Sequence, residues 1–104
     1  MANMIDSILR NLQRFFEYDL MGIVKWDTVR VFIPKDDNDE QQAAGVRFQL
    51  ADKDYEILVE SSDVNPKYNC GSVFLNDKRI GPIDEKTWTA MALEIKKHNT
   101  RAVA

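Results

Sequence analysis

Apolar residues at Ile5, Ile8, Leu9, Leu12, Phe15 and Phe16 recur at the three- and four-residue spacing that lines one side of a helix. This spacing predicts a helix over residues 3–18, with Arg10, Asn11, Gln13 and Arg14 on its wet face. Asn3 suits the N-cap and Asp6, three residues on, takes the place of a capping-box acid. Gly22 is a natural stop, because glycine adopts the left-handed conformation cheaply. The pair Phe15-Phe16 widens the apolar stripe, which fits a helix lying on a sheet.

The period then changes from 3.6 to 2. In Thr28 to Ile33, Val29, Val31 and Ile33 alternate with Thr28, Arg30 and Phe32, and Pro34 ends the run because it cannot donate to a ladder. Val24 and Trp26 fall out of phase with this set, so a bend is expected near Asp27. Val46, Phe48 and Leu50 alternate with polar residues, as do Tyr55, Ile57 and Val59 with Glu56, Leu58 and Glu60. These segments predict a hairpin, 46–50 with 55–59, joined by the four-residue loop "ADKD". Pairing Leu50 with Tyr55 sets both apolar triplets on one face and puts Arg47 opposite Leu58, diagonal to Glu56 and Glu60.

"SSDVNPKYNCGS", residues 61–72, is rich in turn formers and predicts a surface loop. Ser72 to Leu75 predicts a strand, and Asn76-Asp77 a turn into a short return strand. Asp84 is placed to cap a final helix over residues 85–98, with Trp88, Met91, Ala92 and Ile95 as its buried stripe. Asp84 and Glu85 at its start, and Lys96, Lys97 and His98 at its end, match the helix dipole. Residues 99–104 are expected to be a frayed tail. The fold class is therefore α+β: an antiparallel sheet of three to five strands between two helices, both packed on one face.

Length and composition agree with that picture. At 104 residues, 44% hydrophobic and 30% charged, the chain has the size and balance of one globular domain, residues 1–104. No apolar run approaches the ~20 residues that cross a bilayer, so no membrane partner is expected. The first twenty residues have no basic segment leading a solid apolar stretch, and Asp6, Glu17 and Asp19 speak against a transit peptide. Cys70 is the only cysteine, which excludes an internal disulfide and favours a reducing, cytoplasmic setting. The net charge of -3 is unevenly spread. Residues 36–63 hold nine acids against Arg47 and Lys53, and the remainder is net basic.

Candidate chemistry is sparse. The acidic stretch Asp36, Asp37, Asp39 and Glu40 suggests a calcium loop, which needs glycine at position 6 and glutamate at position 12. Starting at Asp36 these are Gln41 and Arg47, and starting at Asp37 they are Gln42 and Phe48, so both registers fail. One cysteine and one histidine cannot supply a zinc site, so no metal is expected. Cys70 in a loop and His98 beside two lysines lack the features of an activated nucleophile and its base. Ser61-Ser62-Asp63 has no G-x-S-x-G elbow. The four glycines, at 22, 45, 71 and 81, form no phosphate cradle, and no cofactor is expected.

What stands out is one strand face. Asp54, Glu56 and Glu60 share parity and should point outward, near the acidic 36–40 loop. Phe32 and Leu58, and with them Phe74, also fall on the face away from the core. Such an apolar strip flanked by charge marks a partner surface or a homodimer seam. The sequence thus points to a small acidic non-enzymatic protein-binding module, an inhibitor, antagonist or accessory subunit. It would use Asp36, Asp37, Asp39, Glu40, Asp54, Glu56, Leu58, Glu60 and Phe32 against a partner with a basic surface. The competing reading is a nucleic-acid-associated module using Arg10, Arg14, Lys78, Arg79, Lys96 and Lys97. Its helix–strands–helix order is similar to that of double-stranded-RNA-binding domains. Those modules need basic side chains near the start of the last helix, where "IDEKTW" offers only Lys86.

Overall fold

The computed structural model describes residues 4–34, 43–61 and 71–103. Its first element, α1 (Met4–Arg14), runs directly into a π-helical turn, Phe15–Asp19. The Leu20 N–H donates to the Phe15 carbonyl at 2.9 Å, skipping five residues instead of four. The cause is visible in what the turn buries. In an α-helix each residue advances about 100°, which would carry Leu20 to the edge of the face set by Leu12 and Phe16. The wider π turn advances less per residue and brings Leu20 back to the middle of that face. Leu12, Phe15, Phe16 and Leu20 are all at most 1% exposed as a result. The chain is then stopped by Met21 and Gly22, both at positive φ, and the Gly22 N–H donates to the Phe16 carbonyl at 3.1 Å. The helical segment expected over 3–18 is thus present but ends one turn differently, and Asn3, expected as its cap, lies outside the described residues.

A 3-10 turn over Trp26–Thr28 makes the expected bend at Asp27, with the Thr28 hydroxyl donating to the Lys25 carbonyl at 2.7 Å. Five strands follow: β1 (Arg30–Phe32), β2 (Ala43–Leu50), β3 (Lys53–Ser61), β4 (Gly71–Leu75) and β5 (Lys78–Pro82). They pair antiparallel in chain order as a meander, each strand beside its sequence neighbour. The expected turn at Asn76-Asp77 is present, with φ of 50° and 67°.

The central hairpin departs from its expected register. Leu50 pairs with Lys53, Phe48 with Tyr55 and Val46 with Ile57, so Arg47 lies opposite Glu56 and not opposite Leu58. "ADKD" is not a four-residue loop. Only Ala51 and Asp52 connect the strands, at φ of 53° and 63°. Two left-handed residues in succession make the turn whose twist matches that of the flanking strands. The tighter turn brings Lys53 and Asp54 into the ladder, and the sequence hides it because alanine is a poor signal for positive φ. The slip is an even number of residues, so Val46, Phe48, Tyr55, Ile57 and Val59 still face the core, as the alternation predicted.

The last helix, α2 (Glu85–Val103), extends past residue 98, correcting the frayed tail expected there. Residues 99–103 contain neither glycine nor proline to stop it. Asp84 caps it: the Thr87 N–H donates to Asp84 Oδ1 at 2.8 Å. That bond, with further help from the Thr87 hydroxyl, holds the Asp84 carboxyl below its ordinary pKa. Thr87 itself is buried against Gly81, where an added Cβ would come within 2.5 Å of the Thr87 hydroxyl oxygen. The helix can approach β5 this closely only because residue 81 has no side chain.

Both helices lie on one face of the sheet, as predicted. Aromatic rings join the layers. Trp88 of α2 meets Phe15 at 5.3 Å, Phe15 meets Phe16 edge-on at 5.6 Å, and Phe16 stands edge-on to Phe48 at 5.0 Å. Phe48 in turn stacks on its cross-strand partner Tyr55 at 5.2 Å. Burial raises the Tyr55 pKa, and the charge of Glu94 adds to the effect. Cover is incomplete at one edge: Val31, paired with the fully buried Val46, remains 46% exposed because β1 projects beyond the helices.

Two outcomes follow from this packing. Phe16→Ala should destabilise the protein by about 3–5 kcal/mol, a large part of the stability of a small domain. Urea unfolding followed by tryptophan fluorescence measures it, and a loss below ~1 kcal/mol would contradict the central place given to this ring. Asp84→Ala should lower the melting temperature at neutral pH. Because the folded-state pKa is depressed, the cap's contribution is complete above the ordinary value of 3.8 and fades as pH falls through the lower folded value. The gap between wild type and variant should therefore close in acid, and a gap constant down to pH ~2 would refute the cap assignment.

Candidate functional site

Strand alternation sends one set of side chains away from the helices. Gly45, Arg47 and Gln49 of β2 point outward between the inward Ala44, Val46 and Phe48. On β3 the outward set is Asp54, Glu56, Leu58 and Glu60. The register then aligns them in rows across the sheet. Gln49 faces Asp54, and Arg30, Arg47 and Glu56 share the next row. Phe32, Gly45, Leu58, Phe74 and Arg79 make a third, and Ala43, Glu60, Ser72 and Pro82 a fourth.

The third row is the apolar strip expected from the sequence. Phe32, Leu58 and Phe74 are each half-buried, with no helix above them. Gly45 explains how Phe32 lies flat against the sheet. A Cβ at that position would clash with the edge of the Phe32 ring and lie 2.7 Å from the Ile57 carbonyl oxygen, so the ring occupies the space a side chain would take. Above the ring sits Arg47, its guanidinium carbon 4.5 Å from the centroid. The same guanidinium donates from Nε to Glu56 Oε1 at 2.8 Å. Arg47 is thereby held between an aromatic face and a carboxylate.

The polar rows are also paired. Gln49 Nε2 donates to Asp54 Oδ1 at 2.8 Å, and Arg79 Nε donates to Ser72 Oγ at 3.1 Å. Asn76 reaches back from its turn: its side-chain oxygen accepts from the Glu56 N–H at 2.8 Å while its own N–H donates to the Glu56 carbonyl. This continues the β3–β4 ladder one step past Leu75 and turns both Glu56 backbone groups away from β2. Arg47 and Glu56 therefore form the closely spaced, non-hydrogen-bonded kind of cross-strand pair. A shallow concavity of about 760 Å³ lies over these rows, lined by Arg30, Arg47, Gln49, Asp54, Glu56 and Asn76 among others.

The outer face consequently carries Arg30, Arg47 and Arg79 beside Asp54, Glu56 and Glu60. Its described part is balanced in sign. The acids Asp36, Asp37, Asp39 and Glu40, expected to border it, lie outside the described residues, as do Ser62, Asp63 and Cys70. His98 lies in the later part of α2. Among the described residues no group of three His, Cys, Asp or Glu side chains could hold a metal ion, and no helix is long and apolar enough to cross a membrane.

The basic set is distributed over several surfaces. Arg10 and Arg14 are on the exposed side of α1, Lys96 and Lys97 on α2. Lys78 and Arg79 point to opposite faces, since Lys78 pairs with the inward Leu75 and Arg79 with the outward Phe74. Sequence reasoning placed Phe32, Leu58 and the carboxylates on one face but missed Gly45, Arg30, Gln49 and Asn76. The signal for Gly45 was available, because a glycine inside a strand marks a bulge or a close approach. Comparison of the chain with protein-family models, curated proteins and solved structures returns no match.

The observed register makes a measurable claim. A double-mutant cycle between Arg47→Ala and Glu56→Ala should give a coupling of about 0.3–1 kcal/mol that shrinks in high salt, as suits a pair largely open to water. The cycle Arg47→Ala with Leu58→Ala should give less. Equal couplings would favour the longer loop and contradict the register.

Proposed function

We propose that this chain is a non-enzymatic protein-binding module that works through the outer face of its sheet. The observation that carries the reading is the half-buried row Phe32, Leu58 and Phe74, set on the face opposite both helices. Apolar side chains ringed by arginine and carboxylate have the anatomy of an interface core with its polar rim. Arg47 laid over Phe32 adds a residue type enriched at such cores. Asp54, Glu56 and Glu60, with Asp36, Asp37, Asp39 and Glu40, would steer encounter toward basic groups on the partner, and the apolar row would lose water on docking. An inhibitor, an antagonist or an accessory subunit could use a surface of this kind.

Two variants test it. Neutralising Asp54, Glu56 and Glu60 together as Asn and Gln should slow association with a partner recovered from nuclease-treated native lysate, and should flatten its salt dependence. Leu58→Glu should accelerate dissociation by about tenfold or more, as expected for a central apolar contact. Surface-immobilised kinetics, with melting curves to confirm folding, read both. Unchanged rates in both variants would remove the outer face from the interaction.

A further inference from the structure

The outer face of the central hairpin is asymmetric in a particular way. Along β2 it presents Gln49, Arg47 and Gly45: an amide donor, a guanidinium donor and a glycine roofed by the Phe32 ring. Opposite them on β3 it presents Asp54, Glu56 and Leu58: two acceptors and a knob. The two polar pairs are complementary across the boundary between the two strands, and the third row is apolar on both sides of it. A surface with that property also fits a copy of itself turned about that boundary.

We infer that the partner of this face is a second copy of the chain, docked about a two-fold axis that runs parallel to the strands between β2 and β3. The inference rests on the outer face being the binding surface. Such an axis exchanges β2 with β3 and β1 with β4. Arg47 of one copy then lies over Glu56 of the other, twice, and the four charges alternate in sign around the axis. Gln49 meets Asp54 in the same manner. Leu58 is directed at the position of Gly45, where it meets the flat Phe32 ring, and Phe32 itself lies over Phe74. A self-complementary patch of this kind is what an isologous interface requires.

The groups have bonding capacity left for this. The Arg47 side chain is 62% exposed and that of Glu56 30% exposed, and among the described residues the guanidinium is bonded through Nε. Its two terminal nitrogens remain for a carboxylate arriving from above. The basic surface that the acids call for is thus present on the same molecule, in Arg30 and Arg47. Two twisted sheets packed in this sense would fall in the aligned class, with strands within about 30° of each other. Strands spaced about 4.8 Å apart, overlapping over some 20 Å for β2 and β3 and about 10 Å for the short β1 on β4, give roughly 300 Å² per copy. That is less than half the usual share of a stable complex, so the dimer is weak.

Sedimentation velocity of the full chain, from low micromolar to millimolar concentration, tests the inference. Wild type should shift from monomer toward dimer over that range. Arg47→Glu sets like charges against Glu56 of the other copy, and Glu56→Arg does the same against Arg47, so each variant alone should self-associate at least about tenfold more weakly. Mixed in equal amounts they should pair again, because every contact at the axis then joins opposite charges. Melting curves establish that each variant is folded. Leu58→Lys, which leaves the charge pair intact, should also yield a monomer. A wild type that stays monomeric to millimolar concentration overturns the inference, as does a dimer indifferent to these substitutions or a mixture that fails to re-associate. A monomer whose heterologous partner is still lost on Leu58→Glu would overturn only the second copy and leave the binding face in place.

Discussion

Two consecutive phenylalanines must be buried at the same end of one helix, and much of the structure is arranged around that requirement. Phe15 and Phe16 cannot both be central to an α-helical stripe that also holds Leu20. The π turn rotates the last residues so that all three are covered. Once there, the rings serve different neighbours. Phe15 takes Trp88 of α2, and Phe16 stands on Phe48 of the sheet. This turn is one of the places where both helices meet the layer below, beside the packing of α2 on β5 at Gly81.

The bare face owes its character to parity and register together. Alternation alone decides that Phe32, Leu58 and the carboxylates point outward. Register decides which of them are neighbours, and here the structure turns on two residues, Ala51 and Asp52. Their left-handed turn sets Arg47 against Glu56 and Gly45 against Leu58. With the longer loop the same residues would face outward, but Arg47 would lie opposite Leu58 in place of Glu56. A surface that binds by complementarity depends on such details more than a core does.

These facts also show which parts of the molecule the sequence made legible. The core stripe of α1, the alternation in β2 and β3, the Asn76-Asp77 turn and the Asp84 cap rest on local periodicity or on a residue with a strong conformational preference. They could be read directly. The hairpin register could not, because alanine at positive φ carries no local signal and an even slip preserves every apolar position. Nor could the π turn, which arises from the competition of three large side chains for one face. The outward row was recognised as an apolar strip, but the role of Gly45 depends on Phe32, a neighbour across the adjacent strand and not next to it in sequence.

The meander has a consequence for how the chain comes together. Every strand pairs with its immediate successor, so each hairpin closes a short loop and needs little help from distant residues. The most distant of the ring contacts is that between Phe15 and Trp88, which joins elements near opposite ends of the chain. The entropy of closing the whole polypeptide falls on that contact and the few around it. Loosening of the first helix therefore weakens the seat of the last one, and the two ends of the protein open or stay closed together.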